Sequence, residues 1–243
     1  MDLRGNRTVR AHHVAVAAAI MAVLATSACS VGSSVRPPAA SVPPRDRLRD
    51  GLLTQDRLPH GLKLMTEQID STTTGAPHTL STVPLASMPC SQLAVASFMT
   101  AHAHPAKDVA VAVEQEHLVG DDYGWFGQGS LDRYAPGRAA AVMAAVRGVA
   151  RRCTAYTDTL FDGSRTHNTV SVTRADARAD DSLVLRVAST FSGDTDPFIT
   201  ETGFVREGDV IIMGQKMVAR DPKSGVKTVL SPAVAAYRAA TAG

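Results

Sequence analysis

Two cysteines, Cys90 and Cys153, are the residues of this chain whose type and spacing best support a defined chemistry. In an oxidising compartment such a pair in a folded domain forms a disulfide, whereas in the cytosol it would serve as thiols or metal ligands. The bridge would close a loop of 63 residues and contribute about 4 kcal/mol in the chain-entropy model. The sequence therefore predicts a Cys90–Cys153 disulfide if the protein is exported.

Export is predicted by the first 28 residues. Arg4, Arg7 and Arg10 form a basic start, and an apolar run extends from Val14 to Leu24. This run is shorter than the ~20 apolar residues that a membrane-spanning helix needs, and it is followed by small residues. We therefore interpret residues 1–28 as a signal peptide.

The third cysteine, Cys29, directly follows the small residues Thr26, Ser27 and Ala28. This arrangement resembles a bacterial lipoprotein signal, in which the cysteine is acylated, commonly with palmitate, and becomes the first residue of the mature chain. The lipoprotein pattern prefers Leu at the position of Thr26, so ordinary cleavage after Ala28 and secretion remain the alternative. Acylation of Cys29 would leave an even number of cysteines for disulfide formation.

The charge balance argues against a nucleic-acid partner. The whole chain has 25 Lys and Arg against 23 Asp and Glu, but three arginines and Asp2 belong to the signal peptide. The remaining 22 positive and 22 negative residues cancel, so no basic surface is expected.

Residues 29–45 are rich in Ser, Pro and Ala and predict a flexible linker behind the lipidated cysteine. Residues 46–243 have the length of a single domain.

Histidines and carboxylates provide candidate metal ligands. The first set comprises His102, His104, His117, Asp121 and Asp122. Imidazole and carboxylate suit zinc or nickel, but no HExxH or comparable spacing is present, and solvated turn residues are the favoured interpretation.

Two acidic pairs form a second set of candidate ligands. Asp180 with Asp181, and Asp194 with Asp196, are candidate calcium ligands, but turn chemistry is the favoured interpretation of these residues. We therefore predict no metal and no cofactor.

Motifs for nucleophilic catalysis and nucleotide binding are absent from the sequence. There is no GxSxG, P-loop or GxGxxG motif. Three aromatic residues, Tyr123, Trp125 and Phe126, lie within four positions. Core packing is the favoured interpretation, and a small-molecule cleft is the alternative.

The apolar periodicity predicts which elements hold these residues. Val142, Val146, Val149 and Cys153 share one side of a helix predicted over residues 138–152, so Cys153 is expected to be buried. A second helical segment is expected from Cys90 to Met99, and a last helix from Ser231.

Strands are predicted where the period is two. They include residues 108–116, 123–134 and four strands after residue 168, which short turns connect as antiparallel neighbours. The predicted fold class is α+β, an antiparallel sheet with helices packed on it and one disulfide.

Several segments of this pattern are similar to the PknH-like extracellular sensor domain of actinobacteria, which also occurs as free lipoproteins. The similarity extends over about residues 48–240 and is carried by Leu52-Leu53-Thr54, Leu58-Pro59, Pro89-Cys90, Arg133-Tyr134 and Cys153. It implies an antiparallel sheet with helices and a cleft for an unknown ligand, and it supplies no catalytic residue. The family version is expected to hold a second disulfide, which this chain cannot form.

Two classes of function follow from these observations. The first is a surface-anchored, non-catalytic module that binds or senses an unknown small molecule or envelope protein. The alternative is an envelope hydrolase whose active site is assembled from residues distant in sequence. A histidine and a carboxylate converging on a serine would favour the enzyme, whereas a cleft without such convergence would favour the binding module.

Overall fold

The structure is a computed structural model and describes residues 47–65, 80–95, 97–115, 126–175, 177–219 and 225–242. Within these residues the predicted α+β class is confirmed. An antiparallel sheet carries helices on both of its faces, and Cys90 is bonded to Cys153.

Eight strands form the sheet that the structure describes. They are β1 (Leu62–Leu64), β2 (Lys107–Gln115), β3 (Phe126–Arg133), β4 (Ala155–Thr159), β5 (Arg165–Thr173), β6 (Asp181–Phe191), β7 (Phe198–Glu207) and β8 (Val210–Ala219). Their spatial order is β1-β2-β3-β8-β7-β6-β5-β4, and every neighbouring pair is antiparallel. The chain thus brings β3 beside β8, which lies some 80 residues later.

The helices of the described ranges are α1 (Arg47–Asp50), α2 (Phe98–Ala103), α3 (Arg138–Arg152) and α4 (Lys227–Thr241). Helix α3 has the bounds that its apolar period predicts. Helix α4 begins four residues before the predicted start at Ser231, and Pro232 lies inside its second turn. Because proline has no backbone N–H, Pro232 removes the intrahelical hydrogen bond that this position would otherwise make to the carbonyl of Thr228. None of the helices in the described ranges has the length and apolar character required to cross a membrane.

Each face of the sheet buries its own hydrophobic core, because successive residues of a strand point to opposite faces. On β8, Val210 and Ile212 pack in the core beneath α1 and α4, whereas Ile211 and Met213 pack in the core beneath α3. We call these the α4 face and the α3 face. The central strands therefore carry apolar residues at consecutive positions, as expected for strands covered on both sides.

The disulfide joins the end of α3 to the segment before α2. Cys153 is fully buried, as the seam of Val142, Val146 and Val149 predicts, and its Cα lies 5.5 Å from that of Cys90. The predicted helix from Cys90 to Met99 is wrong in its extent. A 3-10 helix covers Cys90–Ala94, the chain is extended at Val95, and α2 begins only at Phe98. The buried Leu93 and Phe98 direct both pieces into the same core, so the apolar spacing resembled one helix.

Strand β4 was not predicted from the sequence. It is short, lies at the edge of the sheet and alternates between exposed and half-buried positions. With few apolar residues, this segment lacks the pattern that identifies a strand.

Candidate functional site

A group of polar side chains, most of them buried, lies on the α3 face of the sheet. Thr202 on β7 pairs with Gln215 on β8, which pairs with Gln128 on β3, so three polar residues stand side by side on adjacent strands. Ser130 and Asp132 continue the same side of β3, because they follow Gln128 at intervals of two. We call these five residues the polar patch.

Four of the five residues of the polar patch are buried, and Gln128 is half-buried. Thr202 and Gln215 are each 1% exposed, and Ser130 and Asp132 are 6% and 2% exposed. One hydrogen bond lies within the patch, in which Gln215 Nε2 donates to Thr202 Oγ1 at a distance of 3.2 Å. Most buried polar side chains of a folded protein are hydrogen-bonded in this way.

Three buried polar atoms at one end of the patch lack a hydrogen-bond partner among the described residues. They are Ser130 Oγ, Asp132 Oδ2 and the hydroxyl of Tyr134, which follows Asp132 by two residues. Leaving a buried donor or acceptor unsatisfied costs about 1–3 kcal/mol for each group. A molecule that hydrogen-bonds these atoms would recover that free energy, which makes this end of the patch a candidate binding site.

The electrostatics of the site are dominated by Asp132. Burial, together with the smaller effect of the nearby Asp108 carboxylate, raises the pKa of Asp132 to about 7. The Ser130 hydroxyl partly offsets this by lowering the pKa, although its position falls short of full hydrogen-bond geometry. Burial and the two carboxylates also raise the pKa of Tyr134, which the positive charge of Arg138 opposes. The phenol is therefore neutral and available as a hydrogen-bond donor.

The histidine candidates serve the local fold. The Nδ1 of His102 lies 2.7 Å from the carbonyl oxygen of Val83, and the His102 side chain is buried rather than solvated as expected. His104 ends α2 in the left-handed conformation, with its Nε2 near the carbonyl oxygens of Ser81 and Ala101. No group of three or more His, Cys, Asp or Glu side chains in the described ranges is arranged to hold a metal ion.

The acidic candidates of the second set do not converge on one point. Asp181 forms a bidentate ion pair with Arg147 of α3, which lowers the pKa of its carboxyl. Asp180 accepts hydrogen bonds from Arg206 and from the backbone N–H of Gly208. Asp194 lies exposed in the turn between β6 and β7. These contacts correspond to turn and ion-pair roles rather than to calcium binding.

Several of the candidate residues from the sequence lie outside the described residues. Cys29, His117, Asp121, Asp122, Tyr123 and Trp125 belong to this group. Phe126 begins β3, where its backbone pairs with Met217 on β8 and Glu114 on β2. The proposed aromatic cleft therefore stays a prediction.

The described arrangement nearest to a nucleophile and base is an exposed pair on the edge strands. Thr157 Oγ1 lies 3.3 Å from His167 Nδ1, on neighbouring strands β4 and β5. Both side chains are exposed, so this pair lacks the water-excluding pocket in which such groups act efficiently.

Sequence analysis did not identify Ser130, Asp132 or Tyr134 as site residues. A signal was present, because polar or aromatic residues occupy alternate positions of β3 beside the buried Leu131. An isolated strand with this pattern predicts a solvated face, and only the neighbouring strands reveal that the face is buried.

No family model matches the chain, and no curated protein matches it. Among solved structures, the extracellular domain of PknH from Mycobacterium tuberculosis aligns with 79% of this chain and 98% of its own, at 11% sequence identity and a TM-score of 0.45. At this level of similarity the relationship is a distant one, and it concerns the fold alone.

Proposed function

We propose that this protein is a non-catalytic module of the cell envelope that binds or senses a ligand through the polar patch and Tyr134. The observation that carries this proposal is the set of three unsatisfied buried atoms on one side of β3. A ligand that hydrogen-bonds these three atoms would remove the energetic penalty that they impose on the ligand-free protein.

The chemistry of the patch favours a ligand rich in hydrogen-bonding groups. Hydroxyl, amide and carboxyl side chains stand together on β3, β7 and β8, and an aromatic ring lies at one end. These groups fix a polar ligand in orientation without supplying an activated nucleophile. The ligand is therefore a small polar molecule or a polar segment of an envelope protein.

The location of the module rests on the sequence. The signal peptide and Cys29 support an extracytoplasmic protein that is lipid-anchored, with residues 29–45 as a tether to the membrane. Secretion after cleavage at Ala28 is the alternative, and it would leave the binding function unchanged.

The proposal can be tested by native mass spectrometry of protein purified from its own membranes. We expect a retained ligand on the wild type and its loss from Ser130→Ala and Tyr134→Phe. Each of these substitutions removes only a hydroxyl without a hydrogen-bond partner among the described residues, so the variants should be at least as stable as the wild type. Ser171→Ala, an exposed hydroxyl on β5, is the matched control and should retain the ligand.

Two results would overturn the proposal. The first is a wild-type protein that carries no ligand from its native membrane. The second is a ligand that the two hydroxyl variants retain to the same extent as the control.

A further inference from the structure

The side of β2 that faces the polar patch carries carboxyl groups. Val109 and Val113 pack in the core of the α4 face, so the alternate residues of β2 lie on the α3 face with the patch. Among them, Asp108 pairs directly with Asp132. We call this surface the β2–β3 strip; it comprises Asp108, Ala110, Ala112 and Glu114 of β2 with Gln128, Ser130 and Asp132 of β3. The strip contains carboxyl groups and neither Lys nor Arg.

The cationic residues of β1, β2 and β3 lie away from Asp132. Lys107 and Arg133, which pair across β2 and β3, are each one position from an aspartate of the strip and therefore lie on the α4 face. Lys63 of β1 forms a 2.7 Å ion pair with Glu114, at the other end of the strip. Among the described residues of these three strands, no cation therefore shares the strip with Asp132 at its own end.

The sequence of the segments that adjoin these strands has the same sign of charge. Residues 66–79 follow β1 and residues 116–125 join β2 to β3, and both segments contain Asp and Glu but neither Lys nor Arg. Residues 220–224 do contain Arg and Lys, but they follow the end of β8, whereas Asp132 pairs near its start. Residues 1–46 lead into α1 on the α4 face. The segments next to β2 and β3 in the chain therefore supply no Lys or Arg.

The three unsatisfied atoms of the site are all oxygens that can accept a hydrogen bond. They belong to Ser130, Asp132 and Tyr134, which are 6%, 2% and 3% exposed. The neighbouring Asp108 and Ala110 of β2 are half-buried, so the strip reaches solvent along β2. An ammonium group carries three donors and no acceptor, and its charge complements a carboxylate. Asp108 has a partner of its own and contributes only the field of its negative charge.

Building on the proposed function, in which the polar patch and Tyr134 bind a ligand, we infer that this ligand carries a protonated primary amine that binds at Asp132 Oδ2. The hydroxyls of Ser130 and Tyr134 serve as further acceptors. A small amine and the lysine side chain of a polypeptide share this ammonium chemistry. The mass of the ligand retained from native membranes distinguishes the two sources.

Three probes of matched size test the inference: 2-aminoethanol, which is a cation, ethylene glycol, which is neutral, and glycolate, which is an anion. Each is titrated at constant ionic strength into the ¹⁵N-labelled full chain, and the backbone amide signals of Ser130 and Leu131 are followed. We expect saturable shifts with 2-aminoethanol and binding at least about tenfold weaker for the other two, as loss of a charge-assisted hydrogen bond predicts. Asp132→Asn should weaken 2-aminoethanol binding to the same degree. Asp194→Asn, which removes an exposed turn carboxyl, is the matched control and should bind as the wild type does.

The affinity for 2-aminoethanol should also depend on pH. The cation binds the ionised carboxylate, and the pKa of Asp132 in the free protein is about 7, so the affinity should rise about tenfold between pH 6 and pH 8. Asp108 of β2 and Arg138 of α3 are the charged groups that influence this end of the site, beside the neutral phenol of Tyr134. Asp132→Asn should remove this dependence.

The outcomes separate this inference from the proposed function. If ethylene glycol binds as tightly as 2-aminoethanol and Ser130→Ala weakens both, the patch is a binding site but its ligand is not selected by charge, and only the inference is overturned. An affinity for 2-aminoethanol that Asp132→Asn leaves unchanged, or an absence of saturable shifts with this probe, also overturns the inference. The proposed function fails separately, when the wild type carries no ligand from its native membrane.

Discussion

Asp132 on β3 lies directly opposite Asp108 on β2, so the two carboxyl groups are neighbours on the α3 face of the sheet. Asp132 is buried whereas Asp108 is half-buried, and the proximity of the second carboxylate adds to the cost of ionising the first. This arrangement makes the polar patch sensitive to pH.

The first prediction concerns the pH dependence of stability. The folded state keeps the Asp132 proton up to a pKa of about 7, whereas the unfolded chain loses it near 3.8. The contribution of Asp132 to stability is therefore fully present below about pH 4, decreases by up to about 1.4 kcal/mol per pH unit as the pH rises to about 7, and then levels off. Arg138 and Asp108 are the charged groups that influence this end of the site.

Urea unfolding between pH 4 and pH 8 checks this prediction. Asp132→Asn should flatten the pH profile and raise the free energy of unfolding at pH 8. Asp194→Asn, which alters an exposed turn carboxyl, should reproduce the wild-type profile. Identical slopes for the wild type and Asp132→Asn would contradict the burial of an ionisable carboxyl at this position.

The second prediction concerns the disulfide. Replacing both Cys90 and Cys153 by Ala should destabilise the domain by at most about 4 kcal/mol, since the bridge closes a loop of 63 residues. At about 2–4 °C for each kcal/mol, the thermal midpoint should fall by about 10 °C. Calorimetry of the wild type with and without a reductant, beside the double variant, measures the effect. A reductant that shifts the double variant as much as the wild type would show that the bridge is not responsible.

The third prediction concerns a row of charged residues beneath the start of α4, in which Glu201 and Lys216 are buried and Arg186 is half-buried. Glu201 on β7 pairs across the sheet with Arg186 on β6 and with Lys216 on β8, which is 1% exposed. Glu201 Oε1 lies 3.2 Å from an Arg186 nitrogen, and its Oε2 accepts a 2.8 Å hydrogen bond from the backbone N–H of Val226. This carboxylate therefore balances buried charge and satisfies the first turn of α4.

Glu201→Gln should lower the free energy of unfolding by about 3 kcal/mol, because removing one partner of a buried ion pair leaves the other charge uncompensated. Glu114→Gln is the matched control. It breaks the exposed 2.7 Å pair with Lys63 and should cost less than about 1 kcal/mol. Chemical denaturation of both variants decides the matter, and equal losses would mean that the row is not a buried ionic network.

The fourth prediction concerns anchoring, which lies outside the described residues. If Cys29 is acylated, Cys29→Ala should release the protein from the membrane into the medium. Mass spectrometry of the N-terminal peptide of the wild type should show the added lipid. A wild-type peptide without lipid, together with a variant that distributes as the wild type does, would favour ordinary secretion.

Local pattern determined much of the fold. The seam of Val142, Val146 and Val149 specifies both the helix and the burial of Cys153, because side chains three and four positions apart lie on one side of a helix. The spacing of two between Leu183, Leu185 and Val187 specifies β6, since side chains of a strand alternate between faces. Strand β8 instead carries apolar residues at consecutive positions, because both of its faces are covered. The pairing of Cys90 with Cys153 followed from the cysteine count and the inference of export.

The candidate sites were decided only by the tertiary structure. Gln128 and Thr202 are 74 positions apart in the sequence, and they share one row only because β3 and β7 both pair with β8 in a defined register. Likewise, Arg238 of α4 donates a hydrogen bond to the backbone carbonyl of Arg178 in the β5–β6 loop, 60 residues earlier in the chain. Periodicity reports which side of a strand or helix a residue occupies. The element that will cover that side, and the polar atoms that will meet there, depend on long-range packing, which no local spacing encodes.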